Sequence, residues 1–328
     1  MLYPTVTVLV TVKNSKDTLK NCMNSLLALK YPKTRYKIIV VDAFSIDGTW
    51  EELKKYEKNK LPSVKLYQKS GSAAVGFNYG LDLVKTDLVA LTDADCVVDK
   101  NWLKGLVKGF TSKEIYAVAG FCKTPTTVNK LQELIGKEFE WRFKNSPQFI
   151  LRAPTMNLCF RTEIVKKLKF DEKFDVTFET DLGYRLTKLG KMKFTPDSIV
   201  YHYHRSTWKS WWKQQFNYGK FTPLLFFKHR GKFAKGDNIS RPSMIIQPFL
   251  LIFGILFFLF GMFNNIFYFF SCIFLTLLFL IYIRDIFHLS KFNFTNLVWY
   301  LGIFLCRTVA WMAGLIVGIK NSIIRKKK

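Results

Sequence analysis

The sequence predicts an α/β protein, a doubly wound sheet followed by a C-terminal α-helical transmembrane region. Three observations predict it. Over about residues 1–100, short runs rich in β-branched residues alternate with segments of helical period, the pattern of right-handed βαβ units on a parallel sheet. Two of those runs end in acids, Asp42 and the Asp93-Ala94-Asp95 triplet. From Met244 onward three apolar stretches, near 243–263, 266–283 and 296–318, each approach the roughly 20 residues that span a bilayer. No comparable stretch precedes Ser240, so a globular domain is expected over 1–240 and a membrane domain over 241–328.

Thr5–Val12 alternates and is β-branched, which makes it the first strand. Asp17–Leu29 places Leu19, Cys22, Met23, Leu26 and Leu27 at helical spacing. Tyr36–Val41 is the second strand and runs into Asp42. A helix follows, then a strand over Val64–Tyr67, a helix over Ala73–Val84 and a strand from Leu88 into Asp93. Beyond Asn101 the rhythm changes. A helix over Trp102–Phe110, a strand over Tyr116–Phe121, a long helix over Asn129–Phe143 and the segment Ala153–Arg161 build a second half, about 101–205. A further helix opens near Phe178, with Glu179 and Asp181 in its first turn and Lys188 and Lys191 late, a polarity that suits the helix dipole. Over about 206–235, Trp208, Trp211 and Trp212 interleave with Lys209, Lys213 and Gln214. Such a segment lies in a membrane interface, with Trp at headgroup depth and Lys reaching water.

Fifty Lys and Arg against 24 Asp and Glu give a formal net charge of +26. The lysines are spread along the chain and a membrane tail follows, so membrane lipids rather than nucleic acid are the expected partner. Six cysteines are scattered without C-x-x-C spacing and read as reduced apolar residues, not as a disulfide frame or zinc site. The start of the chain carries no basic segment followed by a long apolar run, so no secretory signal peptide is expected and the globular domain is placed on the cytoplasmic side. No obligate protein partner is implied.

The chemistry gathers at Leu88–Asp95, a buried-looking strand that ends in two carboxylates one residue apart. Two acids in such a place need a cation, and strand ends are where open α/β sheets hold ligands. Carboxylate oxygens suit Mg²⁺ or Mn²⁺. Asp95 is the expected main ligand, with Asp93 beside it; a capped loop is the alternative reading of the pair alone. His202 and His204, just upstream of the aromatic segment that begins at Trp208, could approach the metal or a diphosphate, although partnered structural histidines are the commoner case.

Seven segments occur in order: VTVLVTVKN, VVDAFSIDGT, GSAAVGFNYGL, ALTDADC, FRTEIVKKLKFDEKF, FETDLGYRLTKLG and WWKQQFNYG. Together they resemble glycosyltransferase family 2, inverting enzymes with the GT-A fold, and within it the membrane-attached transferases of the succinoglycan-biosynthesis type. The likeness covers about residues 3–222. It implies a nucleotide-sugar donor, a UDP-sugar, touched by Thr11, Lys13 and Asn14 in the loop after the first strand. Asp42 falls where the family accepts a hydrogen bond from the base, and Ser45 and Asp47 complete that motif, although Ala43 replaces a frequent second acid. Gly71 matches the segment lining the diphosphate edge, with Ser72 where a basic residue is usual. Asp93 is implied on the ribose side and Asp95 on the metal. Glu179 aligns with the catalytic base and Asp181 is the fallback. A carboxylate in a partly apolar pocket has its pKa raised toward the range of a general base.

The resemblance further implies that a sugar moves to a hydroxyl of a polyprenyl-linked saccharide. Gln215-Phe216-Asn217-Tyr218-Gly219 stands where processive synthases carry Q-x-x-R-W, and the missing Arg-Trp argues against polymer synthesis. Trp211, Gln215 and Tyr218 are then acceptor- or membrane-side residues. Two alternatives stay open: a polyprenyl-phosphate monoglycosyltransferase, whose ionised acceptor needs no base, and a non-catalytic membrane-tethered nucleotide-sugar-binding protein.

Asn264 and Asn265 alone join the first two apolar stretches, so these should form a hairpin that returns to the cytoplasm. A third crossing would leave Lys320, Arg325, Lys326, Lys327 and Lys328 outside, against the positive-inside rule. It would also place Arg307 near mid-membrane, at about 2.5–3.5 kcal/mol on insertion scales. Either a helix packed against the hairpin buries Arg307, or the segment enters and returns without crossing; the charges favour a cytoplasmic C-terminus, with Arg307 facing the acceptor's lipid phosphate. An interhelical hydrogen bond is the other way to bury Arg307.

Overall fold

The computed structural model describes residues 3–237 and 239–326. The chain forms two compact units, Met1–Pro125 with Glu140–Tyr203, and Thr126–Phe139 with His204–Lys328. The amphipathic segment after Tyr203 groups in compactness with the apolar helices.

In the first unit the chain runs β1 (Val6–Val12), α1 (Lys16–Leu27), β2 (Tyr36–Asp42), α2 (Thr49–Lys54), β3 (Val64–Gln68), α3 (Ala73–Leu83) and β4 (Leu88–Asp93). It continues through β5 (Cys96–Val98), α4 (Trp102–Lys108), β6 (Ile115–Lys123) and α5 (Lys130–Lys144), whose residues up to Phe139 belong to the second unit. Then come β7 (Phe149–Ile150), β8 (Leu158–Arg161), α6 (Thr162–Leu168), α7 (Phe178–Leu186) and β9 (Lys191–His202).

The sheet order is β3-β2-β1-β4-β8-β6-β9-β5, with β7 on β9. The first four strands are parallel, and the mostly apolar, buried runs of β1, β2 and β4 suit a sheet with helices on both faces. Val6, Val8, Leu9 and Val10 of β1 are completely buried, and α1 presses Leu19, Cys22, Met23 and Leu26 onto the sheet. Gly80 of α3 sits so close to Leu9 that a Cβ there would lie 2.4 Å from Leu9 Cδ1. Beyond Asn101, where the rhythm of the sequence changes, the strands no longer all run parallel. β8 runs antiparallel between β4 and β6, β5 runs antiparallel to β9, and only the β6–β9 pair is parallel. The four residues of β8 are too few to announce a strand, and β9 contains Pro196 and pairs through register shifts, so neither shows a clean period-two pattern.

One buried amide ties this second half together. Asn157 accepts from Trp102 Nε1 at 2.8 Å and donates to the carbonyls of Phe121 and Ser198, both at 2.9 Å. It fixes the 3₁₀ turn Thr155–Asn157 between β6 and β9.

The second unit contains α8 (Trp208–Lys228), α9 (Arg230–Lys235), α10 (Pro242–Phe260), α11 (Ile266–Ser290) and α12 (Phe294–Lys326). Thr207 and Ser210 form a reciprocal cap that starts α8. Three helical segments, Pro242–Phe260, Ile266–Ser290 and Phe294–Asn321, are long and apolar enough to cross a membrane. The last belongs to one continuous helix, so the expectation that the third segment enters and turns back fails: its glycines seat it against α8 without breaking it. α10 and α11 are a hairpin held by stacked Phe257 and Phe274 and by Ser271 Oγ donating to the Gly254 carbonyl at 2.8 Å. At its base Arg241 faces Asp285, 3.6 Å apart.

α12 lies on α8. Trp299 stacks on Trp208, 5.8 Å between ring centroids. Added Cβ atoms at Gly314 and Gly318 would stand 2.1 and 2.2 Å from the carbonyl oxygens of Phe216 and Lys220. The two helices therefore run in the same direction in backbone contact, an approach that small residues permit.

Candidate active site

The strand order of the parallel half reverses between β1 and β4, and open α/β sheets bind ligands at the carboxyl ends of strands flanking such a point. Register brings the expected residues there. Val12 pairs with Asp42, and Thr11 pairs with Asp93. Asp42 and Asp93 thus end strands on either side of β1, roughly 10 Å apart at the usual strand spacing.

Asp42 is fully buried and accepts from Ser45 N, Ser45 Oγ and Gln68 Nε2. The loop after β1 clasps the loop after β2: Asn14 N donates to Ser45 Oγ at 2.8 Å, and Ile46 N donates to Asn14 Oδ1 at 2.9 Å. Asn14 and Phe44 both adopt the left-handed backbone region, φ 50° and 54°, which the closely joined loops enforce. Asp47 caps from the other side, accepting from Lys16 N and from Thr49 N and Oγ1. Desolvation works against its charge, but those hydrogen bonds, Thr49's side chain first, hold the carboxyl below the usual range. Thr11 is half-buried between the loops and Lys13 is exposed. Gly71, with φ 136° and Val75 Cβ 2.9 Å from any added Cβ, takes a turn into α3 that other residues rarely adopt.

Asp93 and Asp95 stand at the end of β4. Burial first, and then the charge of Asp95, push the Asp93 carboxyl well above the usual carboxylate range. Thr155 Oγ1 donates to Asp93 at 3.2 Å. Cys96 pairs with His202 across β5 and β9, and His202 Nε2 lies 3.4 Å from Asp95 Oδ1. Asp95, Cys96 and His202 offer ligand atoms within 4.8 Å of one another. Burial, with the charges of Asp95 and Asp93, raises the Cys96 thiol well above its ordinary value, so its sulfur stays protonated and is a poor ligand. Two carboxylates close enough for the charge of Asp95 to raise the proton affinity of Asp93, and an adjacent imidazole, make an oxygen–nitrogen donor set. This set fits a divalent ion of the Mg²⁺ or Mn²⁺ kind.

Glu179 and Asp181, neighbours in sequence, part in space. Asp181 is fully buried and paired with Arg185, Nε to Oδ2 at 2.8 Å, while Arg185 also bonds the carbonyls of Leu168 and Lys169. It holds α7 to the turn after α6. Glu179 is half-buried; burial raises its pKa, opposed by Arg152 and Thr180, and its charge is felt at Asp93. Arg152 Nη1 donates to Thr180 Oγ1 at 2.9 Å, which in turn donates to Glu179 Oε1 at 3.4 Å.

The residues expected on the membrane side lie in the second unit. Trp211 is buried with Leu134, Ile135, Tyr300 and Phe304. Gln215 Oε1 accepts from Trp311 Nε1 at 3.0 Å. Tyr218, half-buried, accepts from Thr222 Oγ1 through its carbonyl. Arg307 is occupied otherwise than expected: it is 2% exposed, donates to Glu138 Oε1 at 2.5 Å, and lies over the rings of Phe304 and Trp311. A lipid phosphate is not needed to satisfy its charge, because helix α5 delivers a carboxylate.

The chain belongs to Glycosyl transferase family 2, whose sequence pattern matches residues 7–172. It is a glycosyltransferase of that type, with a GT-A fold. Among its relatives is the probable glycosyltransferase YdaM of Bacillus subtilis, 27% identical and covering 93% of this chain and 73% of YdaM. Another, from Methanococcus voltae, is named a dolichyl N-acetyl-α-D-glucosaminyl phosphate 3-β-D-2,3-diacetamido-2,3-dideoxy-β-D-glucuronosyltransferase. It is 22% identical over 75% of this chain and 83% of its own. Among solved structures, the mannosyltransferase PcManGT of Pyrobaculum calidifontis, determined with GDP-Man and Mn²⁺, shares the fold. Its TM-score is 0.60 at 13% identity, covering 97% of this chain and 88% of that one.

Sequence reading did not single out Arg152 or Thr155, whose partners lie 28 and 62 residues away and leave no local signal. His202 was visible only as one of two alternating histidines.

These geometries separate the two acids of α7. Glu179→Gln should lower kcat on the order of 10²–10⁴-fold with donor affinity nearly unchanged, the range general base catalysis supplies. Turnover should fall as pH drops through the raised Glu179 pKa, because the protonated acid cannot accept a proton, and that acid limb should flatten in the variant. Asp181→Asn should instead lower the melting temperature, by about 3 kcal/mol of stability if the buried pair is broken. Steady-state kinetics against pH and thermal unfolding of the same preparations check both.

Proposed function

We propose that this glycosyltransferase moves a sugar from a UDP-sugar to a hydroxyl of a polyprenyl-linked saccharide at the cytoplasmic face of a membrane, inverting the anomeric centre. Glu179 carries the reading: a half-buried carboxylate with a raised pKa, oriented through Arg152 and Thr180, within electrostatic reach of Asp93. Such a group serves a neutral acceptor that must lose a proton, and an ionised phosphate acceptor would have no use for it.

The acceptor oxygen forms the new bond to the anomeric carbon as its proton passes to a Glu179 carboxylate oxygen. The bond from that carbon to the diphosphate oxygen breaks, and its electron pair leaves with the nucleotide. Asp42, ordered by Ser45 and Gln68, accepts an N–H such as uracil N3 offers. Asn14 and Ser45 keep the two nucleotide loops closed together. Asp95, His202 and Asp93 would hold Mg²⁺ or Mn²⁺, which when bound neutralises charge growing on a departing diphosphate. Arg152 keeps Glu179 aimed and partly ionised. A lipid-linked acceptor is supported by the apolar helices and by the relative whose name specifies a dolichyl phosphate-linked one.

The packing of α12 supports a cytoplasmic C-terminus. Thr308, midway along it, donates to Gln247 at 3.3 Å and bonds Tyr282, residues in the hairpin turns near the Arg241–Asp285 base. Beyond Thr308 the helix leaves the hairpin for α8, a helix whose exposed face carries Lys209 and Lys213, with Gly318 against the Lys220 carbonyl. A helix so held stays near the interface on the side where the hairpin begins and ends.

Membranes containing the protein, offered a panel of UDP- and GDP-sugars, should yield one lipid-linked product heavier by one sugar by mass spectrometry, with a UDP donor preferred. Glycosylation of bare polyprenyl phosphate instead would replace the acceptor in this reading. For topology, Asn321→Cys in a cysteine-free background should react with an impermeant maleimide only after cells are opened. Labelling of intact cells would mean that α12 crosses.

A further inference from the structure

The strand ends opposite Asp42 and Asp93 open onto a second cavity, of about 190 Å³. Lys33, Arg35, Lys37 and Lys60 line it, together with hydroxyls that include Ser63 and Thr86. All lie at or before the amino ends of β2, β3 and β4. Tyr36 begins β2 and Asp42 ends it, so the length of the strand, roughly 20 Å, separates this cavity from the nucleotide edge. It is not a part of the donor site.

The wall is of one charge. Lys33 is anchored, its Nζ donating to the Leu29 carbonyl and to Tyr36 Oη, each at 3.1 Å, and to the Leu27 carbonyl. Among the described residues, none of Arg35, Lys37, Lys60 and the nearby Lys85 has a carboxylate within ion-pair distance. The acid at this end of the sheet, Asp87, accepts from Thr5 N and Oγ1, both at 2.7 Å, and its charge is also favoured by Arg35, so one carboxylate offsets part of the positive wall. Burial lowers the pKa of Lys33, and burial followed by the Lys85 charge lowers that of Lys37. Cations gathered in a concavity, two of them half-buried, repel one another unless an anion enters. Lys33, its three protons spent on the Leu27 and Leu29 carbonyls and Tyr36 Oη, contributes charge only; the Arg35 guanidinium fork, the Lys37 and Lys60 ammonium groups and the hydroxyls are the groups left to hydrogen-bond a phosphate oxygen cluster.

We propose that this cavity binds a multiply charged phosphate group, carried either by a soluble diphosphate or by the headgroup of an anionic lipid. Two arms distinguish the sources. In the first, the full chain in neutral detergent with EDTA is titrated calorimetrically with inorganic pyrophosphate. In the second, the full chain in nanodiscs of phosphatidylcholine, with or without phosphatidylglycerol, is followed by hydrogen exchange over residues 33–37 and 60–63. Saturable pyrophosphate binding, or protection that appears only with phosphatidylglycerol, is expected. Arg35→Gln/Lys37→Gln should weaken whichever is seen at least tenfold while leaving UDP-sugar turnover unchanged. Asp42→Asn should not weaken it, which keeps this result separate from the fate of the donor-site reading. Absence of both signals, or signals that the double variant leaves intact, would overturn the proposal.

Discussion

Two carboxylates that repel each other at the end of a buried strand are the constraint on which the catalytic unit turns. Asp93 and Asp95 cannot separate, because β4 is locked between β1 and β8 with Leu88, Val89, Ala90 and Leu91 buried. Burial opposes ionisation of Asp93, and the charge of Asp95 adds to it. What the fold does instead is surround the pair with groups that temper it. Thr155 arrives on a turn fixed by Asn157, and His202 arrives at the end of β9. The residual charge is what a divalent cation and a diphosphate would use together. A packed hydrophobic sheet thus holds a charge arrangement that would relax in any softer setting.

Arginine pairs set the rest of the machinery. Arg185 consumes the charge of Asp181 and makes it a structural link, which leaves Glu179 as the acid of α7 with a raised pKa. In the second unit Arg307 and Glu138 form another pair, both 2% exposed, so an intramembrane-looking arginine serves helix packing. Breaking such a pair from one side leaves an uncompensated buried charge, so its retention fixes how α5 and α12 meet. The close seam of α8 and α12 gives the same unit a platform in which an amphipathic helix and an apolar one share a backbone interface.

Much of the parallel half was legible because its strands are apolar on both faces and its helices carry clear 3.6-residue periods. Val6–Val12, Tyr36–Asp42 and Leu88–Asp93 fall where the residue pattern puts them, with shifts of a residue at their ends. In the second half α4, β6 and α5 fall where their patterns put them, but β8 and β9 were not legible. β8 and β9 are placed by long-range pairing, and Pro196 and the irregular β6–β9 register blur the alternation a reader would seek. The same distinction holds at the site. Asp42, Asp93 and Asp95 announce themselves as acids at strand ends. His202 joins them only through its register with Cys96, and Arg152 only through a turn that brings it to Thr180. Arg307 showed its cost in the sequence but not its partner, 169 residues earlier.

The central claim is that the paired acids with His202 hold a divalent ion that makes a diphosphate welcome at this edge. Calorimetry of UDP binding to the full chain, with Mn²⁺ or with EDTA, tests it most directly. The account predicts affinity at least tenfold higher with Mn²⁺, about 1.4 kcal/mol, a gain lost in Asp95→Asn and reduced in His202→Ala. Equal affinity with Mn²⁺ and EDTA, or a full Mn²⁺ effect in Asp95→Asn, would contradict it.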